Sequence, residues 1–162
     1  MRLGRGTILQ GSLREVRVVP YRERVEQFLS KVKEWAADEP NVLGVALGGS
    51  HVRNQATESS DVDLIVIARE PQAYLQTTHW AQQFGVVARQ QFENYGRVTS
   101  LRVWYSFGCE AEFAITDETW TRLPLDGGTR RVISDGMKII FERGSILSQV
   151  IEAGRDVPRG SS

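Results

Sequence analysis

The amino-acid sequence predicts an α+β domain, with a small mixed or antiparallel sheet and helices packed on it. Near the amino terminus, one long segment has the periodicity of an amphipathic helix. Several short apolar runs have the length of strands, and glycine-containing turns late in the chain favour hairpins. Helices and strands mixed in this way favour the α+β class over a fully parallel, doubly wound sheet.

The first half of the chain contains the predicted helix and two of the strands. Apolar residues recur at helical spacing over residues 20–37. Residues 42–47 and 61–68 are apolar runs bounded by turn-forming or polar residues, which is typical of strands. Between them, Gly48-Gly49-Ser50 predicts a turn whose serine caps a short helix over about residues 51–57.

The second half is predicted to contain two hairpins between two helices. A helix runs from about residue 71 to residue 84. The first hairpin spans residues 98–116, with a glycine turn in its middle. The second spans residues 131–142, where Asp135-Gly136 is a strong two-residue turn signal. A short helix over residues 145–153 follows.

Length and composition indicate one compact unit. The chain has 162 residues, of which 41% are hydrophobic and 25% are charged, as in an ordinary globular protein. We expect a single domain over residues 1–162, with a core over about 20–116. The second hairpin and the short helix complete it over 117–153, and the polar tail over 154–162 is expected to fray.

Composition also excludes several classes of protein. Twenty basic residues balance twenty acidic ones, so the overall charge gives no support for a nucleic-acid partner or a membrane surface. Cys109 is the only cysteine, which rules out an internal disulfide. No apolar run approaches the roughly 20 residues that span a bilayer, and the basic amino terminus lacks a signal-peptide core. We therefore expect a cytoplasmic protein.

Two aspartates mark the start of the second predicted strand. Asp61 and Asp63 share a face, because successive strand residues alternate between faces, and their backbones lie about 7 Å apart. Two carboxylates that converge at this distance repel each other unless a positive charge lies between them. Mg²⁺ takes oxygen ligands and keeps some positions for substrate phosphates, so the pair predicts a Mg²⁺ site.

The glycine turn before this strand is suited to bind phosphate. Gly48 and Gly49 let the backbone come close to a ligand, and a helix that begins at Ser50 presents free N–H groups to an anion. If the two strands are neighbours, this turn lies beside the aspartates. A phosphate site next to a divalent-cation site is what nucleotide transfer requires.

Together these motifs resemble the signature of the polymerase-β-like nucleotidyltransferase superfamily. Gly49-Ser50, ten residues and then Asp61-Val62-Asp63 follow its spacing, and Leu64 continues its alternation of acidic and apolar residues. The resemblance covers roughly residues 25–116. The chain is similar to small bacterial members, the aminoglycoside adenylyltransferases and the minimal nucleotidyltransferase antitoxins. This resemblance implies the nucleotidyltransferase fold and a metal-dependent transfer of a nucleotidyl group, AMP from ATP or its equivalent from another NTP, to a hydroxyl.

The resemblance also implies a third carboxylate on a later strand, flanked by apolar residues. Glu112 lies between Ala111 and Phe113 and matches best. Glu110 shares its face and stays open as the alternative. Arg102 lies on the preceding strand, on a face that we expect to point toward the cleft.

Specific roles follow from the same resemblance. It implies that the catalytic and metal-binding residues are Asp61, Asp63 and Glu112. It also implies that these residues bind two Mg²⁺ ions. The nucleotide-binding residues that it implies are Gly48, Gly49, Ser50 and Arg53. Arg53 is equally consistent with a solvated surface arginine, and Asn54 replaces a glycine that many members have next to it.

The acceptor is not specified by these motifs. Aminoglycoside-modifying members usually add a helical carboxyl-terminal domain, for which the segment after the third strand is too short. We therefore expect the acceptor site to come from a second subunit, a partner or the open face of this domain. The candidate acceptors are a small molecule of aminoglycoside type and, in an antitoxin-like enzyme, a partner protein. A non-catalytic nucleotide-binding module is the remaining alternative.

Overall fold

The computed structural model describes residues 18–52, 56–57, 61–96, 98–122, 125 and 127–155. In this part of the chain the strands are β1 (Val42–Gly48), β2 (Val62–Ala68), β3 (Val87–Asn94), β4 (Thr99–Tyr105), β5 (Cys109–Thr116) and β6 (Lys138–Glu142). The helices are α1 (Tyr21–Asp38), α2 (Gln72–Leu75), α3 (Gly127–Ser134) and α4 (Ser148–Arg155). Short 3₁₀ turns lie at Gly49–His51, His79–Phe84 and Glu118–Thr121. None of the described helices is both long and apolar enough to cross a membrane.

The six strands form one mixed sheet in the order β3-β4-β5-β2-β1-β6. β2 and β5 run parallel, whereas the other neighbouring strands are antiparallel. This sheet, with helices packed on it, confirms the predicted α+β class. The first predicted helix, the first two strands and the hairpin of β4 and β5 are also confirmed.

One face of the sheet packs against α1 and forms the main core. The buried residues of α1 recur at helical spacing and are Tyr21, Val25, Phe28, Val32, Trp35 and Ala36. They meet alternate residues of the central strands, among them Leu64 and Phe113. Burying each large apolar side chain contributes roughly 1.5–3 kcal/mol to stability. This packing fixes β2 and β5 against each other, and both strands carry predicted site residues.

The opposite face is divided between a small core and a polar region. On the side of β1 and β6, a second apolar cluster contains Leu43, Ala46, Ile67 and Leu147. Trp120 and Met137 pack against this cluster. The rest of the face carries Asp63 and Glu112, which alternate with core residues along their strands. The second core therefore supports one side of the polar region.

The helix predicted over residues 71–84 is wrong as a continuous element. α2 ends after four residues, and a separate 3₁₀ turn covers His79–Phe84. The Trp80 indole N–H donates to the backbone carbonyl oxygens of Tyr74 and Thr77, at 3.0 Å each. The bond to Tyr74 stabilises the break because it gives a partner to a carbonyl group in the last turn of α2, while Thr77 lies between the two elements.

The second predicted hairpin, within the 117–153 segment, is also wrong. Residues Gly127–Ser134 form α3, and β6 pairs with β1 instead of with its predicted partner. Gly136 has φ of 106°, and its N–H donates to the Ile133 carbonyl, while the Asp135 N–H donates to the Arg131 carbonyl. An Asp-Gly pair serves equally for a hairpin turn and for ending a helix with a left-handed glycine. Here it ends α3.

Two other boundaries differ from the prediction. The turn after β1 begins at Gly49, with Gly48 in the capping position, so Ser50 does not cap it. Of the helix predicted over 51–57, residues 53–55 lie outside the described part of the chain. The last helix ends at Arg155, which shortens the predicted tail, and residues 156–162 lie outside the described part.

Candidate active site

Strand pairing brings the three predicted carboxylates together. Asp63 and Glu112 are direct partners in the parallel pairing of β2 and β5. Asp61 precedes β2 by one residue. One carboxylate oxygen from each of Asp61, Asp63 and Glu112 lies within 4.8 Å of the others. The parallel pairing brings these carboxylates together, because its register places Asp63 of β2 next to Glu112 of β5.

The electrostatics of this cluster are unfavourable without a cation. All three carboxylates are half-buried. The pKa of Asp63 is raised from its ordinary value of 3.8 to about 6. Burial is the largest cause, and the negative charges of Glu112 and Asp61 act in the same direction. The guanidinium of Arg102 opposes this rise. The site therefore holds negative charge at a cost that a bound cation would relieve.

The glycine turn lies directly against this cluster. Gly48 pairs with Asp63 across β1 and β2, so the two strands are neighbours, as expected for a phosphate site beside the aspartates. Gly49 has φ of +72°, and a Cβ atom on it would lie 2.3 Å from Asp63 Oδ2. A side chain at this position would therefore displace the carboxylate or the turn, and glycine avoids both this contact and the strain of a positive φ. Ser50 follows in the same turn, and Arg53 lies outside the described residues.

The donor set fits a hard divalent cation. Mg²⁺ binds oxygen ligands at about 2.0–2.1 Å, so ligands on opposite sides of the ion lie about 4 Å apart. Adjacent ligands of the same ion lie about 3 Å apart. The three oxygens, within 4.8 Å of one another, would therefore have to move closer together to bind one ion. Three carboxylates also supply the charge and the oxygen atoms that Mg²⁺ prefers to nitrogen or sulfur ligands.

Arg102 on β4 connects the cluster to two further carboxylates. Its Nη1 donates to Asp61 Oδ2 at 2.8 Å and to Glu110 Oε2 at 2.5 Å. Its Nη2 donates to Glu112 Oε2 at 3.2 Å, and its Nε donates to Glu93. These hydrogen bonds, foremost the one to Glu93, raise the pKa of the guanidinium, so it stays charged. Arg102 therefore points toward the carboxylates of the cluster, and that it faces the cleft stays a prediction.

Glu110 and Glu112 take different places, although both lie on the same face of β5. Glu112 belongs to the group of carboxylates that could hold a cation. Glu110 pairs across the sheet with Trp104 and binds Arg102. The sequence did not decide which of these two glutamates is the third carboxylate. The register of β5 against β2 distinguishes them, because it pairs Glu112 with Asp63.

Sequence reasoning missed Glu93, which lies on the edge strand β3. Its Oε2 accepts a 2.5 Å hydrogen bond from the Tyr95 hydroxyl, and its other oxygen accepts from Arg102. The bond to Tyr95, followed by the bond to Arg102, lowers the pKa of Glu93. The same bond to Glu93 raises the pKa of Tyr95 to about 12. β3 is exposed on both faces, so no alternating pattern marked Glu93 in the sequence.

A cavity of about 550 Å³ opens beside the carboxylates. Its lining includes Gly49, Asp63 and Glu112, together with residues of the turn between β3 and β4 and of α3. The wall residues include Tyr95, Trp120, Val132 and Asp135. No arginine or lysine is among the described residues that line it. A second cavity of about 650 Å³ shares Val98, Thr116, Trp120 and Val132 with the first, so the two cavities are adjacent.

Comparison with known proteins identifies the family. The sequence model described as "nucleotidyltransferase domain" matches residues 25–135, which is more than half of the chain. One similar solved structure is an aminoglycoside 6-adenyltransferase from Bacillus subtilis, with a TM-score of 0.47 and 14% sequence identity. The match covers 64% of this chain and 37% of that one, so the chain spans little more than a third of that enzyme's length. No curated protein sequence matches. The chain belongs to the nucleotidyltransferase domain family, within the polymerase-β-like superfamily.

Proposed function

We propose that this protein is a Mg²⁺-dependent enzyme that transfers AMP from ATP to a hydroxyl of a small molecule, with aminoglycoside-type compounds as the first candidates. The observation that carries the proposal is the convergence of three carboxylates within 4.8 Å, beside a glycine turn. Carboxylates next to a backbone anion site are the parts that nucleotidyl transfer needs, because one group binds the cation and the other binds the phosphates.

The proposed metal ligands are Asp61, Asp63 and Glu112, and we propose two ions. When bound, Mg²⁺ neutralises the charge that develops on the phosphate and aligns the attacking and leaving oxygens. In the reaction, the acceptor oxygen forms a bond to the α-phosphorus as the bond from that phosphorus to the bridging oxygen breaks. Pyrophosphate leaves, and the acceptor hydroxyl gives its proton to solvent water.

The glycine turn is proposed to bind the triphosphate. Gly49 brings the backbone against Asp63, so phosphates held there would lie next to the cation ligands. Gly48 and Ser50 belong to the same segment, and Arg53 is proposed as a further phosphate contact. Backbone N–H groups suit this task because they bind anions without introducing a mobile side chain.

The character of the cavity supports a neutral or cationic acceptor. Its volume of about 550 Å³ falls within the range of small-molecule sites. The described lining contains acidic and aromatic residues, among them Asp135, Tyr95 and Trp120, and no basic residue. Acidic groups attract ammonium groups, and aromatic faces stack on rings or cations. An amine-bearing sugar combines these features.

A partner protein is the second candidate acceptor, and the surface beside the cavity supports it. Phe92 is 46% exposed and Tyr95 is 57% exposed, both on or directly after the edge strand β3. Exposed aromatic side chains at a strand edge suit contact with another chain. A non-catalytic role has less support, because all three candidate carboxylates are present.

The experiment is label transfer from ATP labelled at the α-phosphate. The protein is incubated with Mg²⁺ and either a panel of amine-bearing and neutral sugars or cell-lysate protein. We expect labelled acceptor and released pyrophosphate, both lost in Asp61→Asn and both kept in Glu70→Gln, whose side chain is exposed away from the cluster. Binding of ATP with no transfer to any acceptor would contradict the enzymatic proposal and support the nucleotide-binding module.

A further inference from the structure

Arg102 contacts the same carboxylates that are proposed to hold the cation. Its guanidinium is within hydrogen-bond distance of Asp61 and Glu112, two of the three proposed ligands. Its side chain is only 17% exposed, so water screens these contacts less than it would on an open surface. A guanidinium in this place can do electrostatically what a metal ion does, which is to hold repelling carboxylates together.

The charge around Arg102 leaves room for a cation as well. Four carboxylates accept hydrogen bonds from the guanidinium, and Asp63 lies beside them. With all five ionised, one positive charge faces five negative charges. The arginine therefore cannot neutralise the site alone, and a divalent cation still gains energy by entering it. The cation and the guanidinium nevertheless repel each other, because both are positive, and they compete for Asp61 and Glu112.

Glu93 and Glu110 hold the guanidinium from outside the cluster of proposed ligands. Glu93 binds Nε, and Tyr95 in turn donates to Glu93, which fixes the orientation of that carboxylate. Glu110 shares Nη1 with Asp61. Arg102 thus has partners that it keeps if Asp61 and Glu112 turn toward a cation.

We propose that Arg102 is a positioning residue that takes the place of the cation before it binds, and that Glu93 restrains its guanidinium so that the cation can enter. This proposal rests on the proposed function, since it requires a cation at Asp61, Asp63 and Glu112. It assigns opposite effects to two residues in direct contact: Arg102 weakens cation binding, and Glu93 strengthens it by acting through Arg102. A purely structural role would give both residues the same sign.

The test measures Mn²⁺ binding in the absence of nucleotide. The electron paramagnetic resonance signal of free Mn²⁺ reports how much of the ion is bound. Arg102→Met keeps much of the side-chain length without the charge, and it should bind Mn²⁺ about ten-fold more tightly than the natural protein. Its melting temperature without metal should fall, and the rise on adding Mn²⁺ should be larger. Arg102→Lys keeps the charge and should bind Mn²⁺ within a few-fold of the natural protein.

Glu93→Gln tests the second half of the proposal. It should bind Mn²⁺ several-fold more weakly, because the released guanidinium binds Asp61 and Glu112 more closely. In the Arg102→Met background the same change should have little effect, since Glu93 acts through the arginine. An equal loss in both backgrounds would show that Glu93 acts by its own charge, and would overturn its assigned role.

Failure of this proposal is distinguishable from failure of the proposed function. If the natural protein and Asp61→Asn both fail to bind Mn²⁺, the cation site itself is rejected. If the natural protein binds Mn²⁺, Asp61→Asn does not, and Arg102→Met binds equally or less tightly, only the role of Arg102 is rejected. Should Arg102→Met fail to fold, Arg102→Gln offers a polar replacement, and tighter binding is required of it as well.

Discussion

Replacing Gly49 with alanine tests the contact between the glycine turn and the carboxylates. Gly49 has φ of +72°, a backbone conformation that costs a residue with a side chain about 1–2 kcal/mol. The added Cβ would lie 2.3 Å from Asp63 Oδ2, whereas ordinary contacts begin at 3.4 Å. The Asp63 carboxylate or the turn must therefore move by about 1 Å, a displacement that can lower turnover about 100-fold.

Gly48→Ala is the matched control for this change. Gly48 has φ of −123°, and a Cβ on it would meet nothing within 4 Å. We expect chemical denaturation to give Gly49→Ala a free energy of unfolding lower by about 1–3 kcal/mol, with Mn²⁺ binding weakened. Gly48→Ala should stay within about 0.5 kcal/mol of the natural protein. If the two variants unfold alike and both bind Mn²⁺ normally, the turn does not press on Asp63 and the reasoning fails.

Three further predictions concern the proposed site. Glu112→Gln should lower nucleotide transfer by orders of magnitude and Glu110→Gln only a few-fold; a dead Glu110→Gln beside an active Glu112→Gln in the label-transfer assay would reverse the assignment. Without metal, the raised pKa of Asp63, about 6, means that the stability of the folded protein falls as pH rises from about 4 through 6. Asp63→Asn should therefore be more stable than the natural protein at pH 7.5, by about 1–2 kcal/mol after solvent screening, and no more stable below pH 4. Chemical denaturation at both pH values checks this. Ser50→Ala should weaken ATP binding by about 1 kcal/mol, and unchanged titration curves would remove Ser50 from the phosphate site.

Local patterns were sufficient to predict one part of the candidate site. Asp61 and Asp63 share a face by strand alternation alone, and the glycine turn before them is short and distinctive. The choice between Glu110 and Glu112 was not accessible in this way, because alternation places both on one face. It depends on the register between β5 and β2, where Asp63 meets Glu112. Register is a property of two distant segments, and one segment does not encode it.

The errors in the fold have a related origin. Asp135-Gly136 satisfies two different local geometries, and the choice between them is made by β1, which offers its free edge to β6. Glu93 gave no signal because the edge strand β3 has no buried face to impose alternation. In each case a tertiary partner, and not the local sequence, decides the outcome.

The parallel pairing of β2 with β5 has a consequence for how the protein acquires activity. The chain must pass through α2, β3 and β4 before β5 can lie beside β2, so the contact between Asp63 and Glu112 joins distant parts of the sequence. Contacts of this kind close a long loop, and parallel pairing between distant segments is intrinsically slow to form. A nascent or partly unfolded chain that lacks β5 would hold the first two carboxylates without the third. The proposed cation site would therefore be complete only in a chain whose sheet has closed as far as β5.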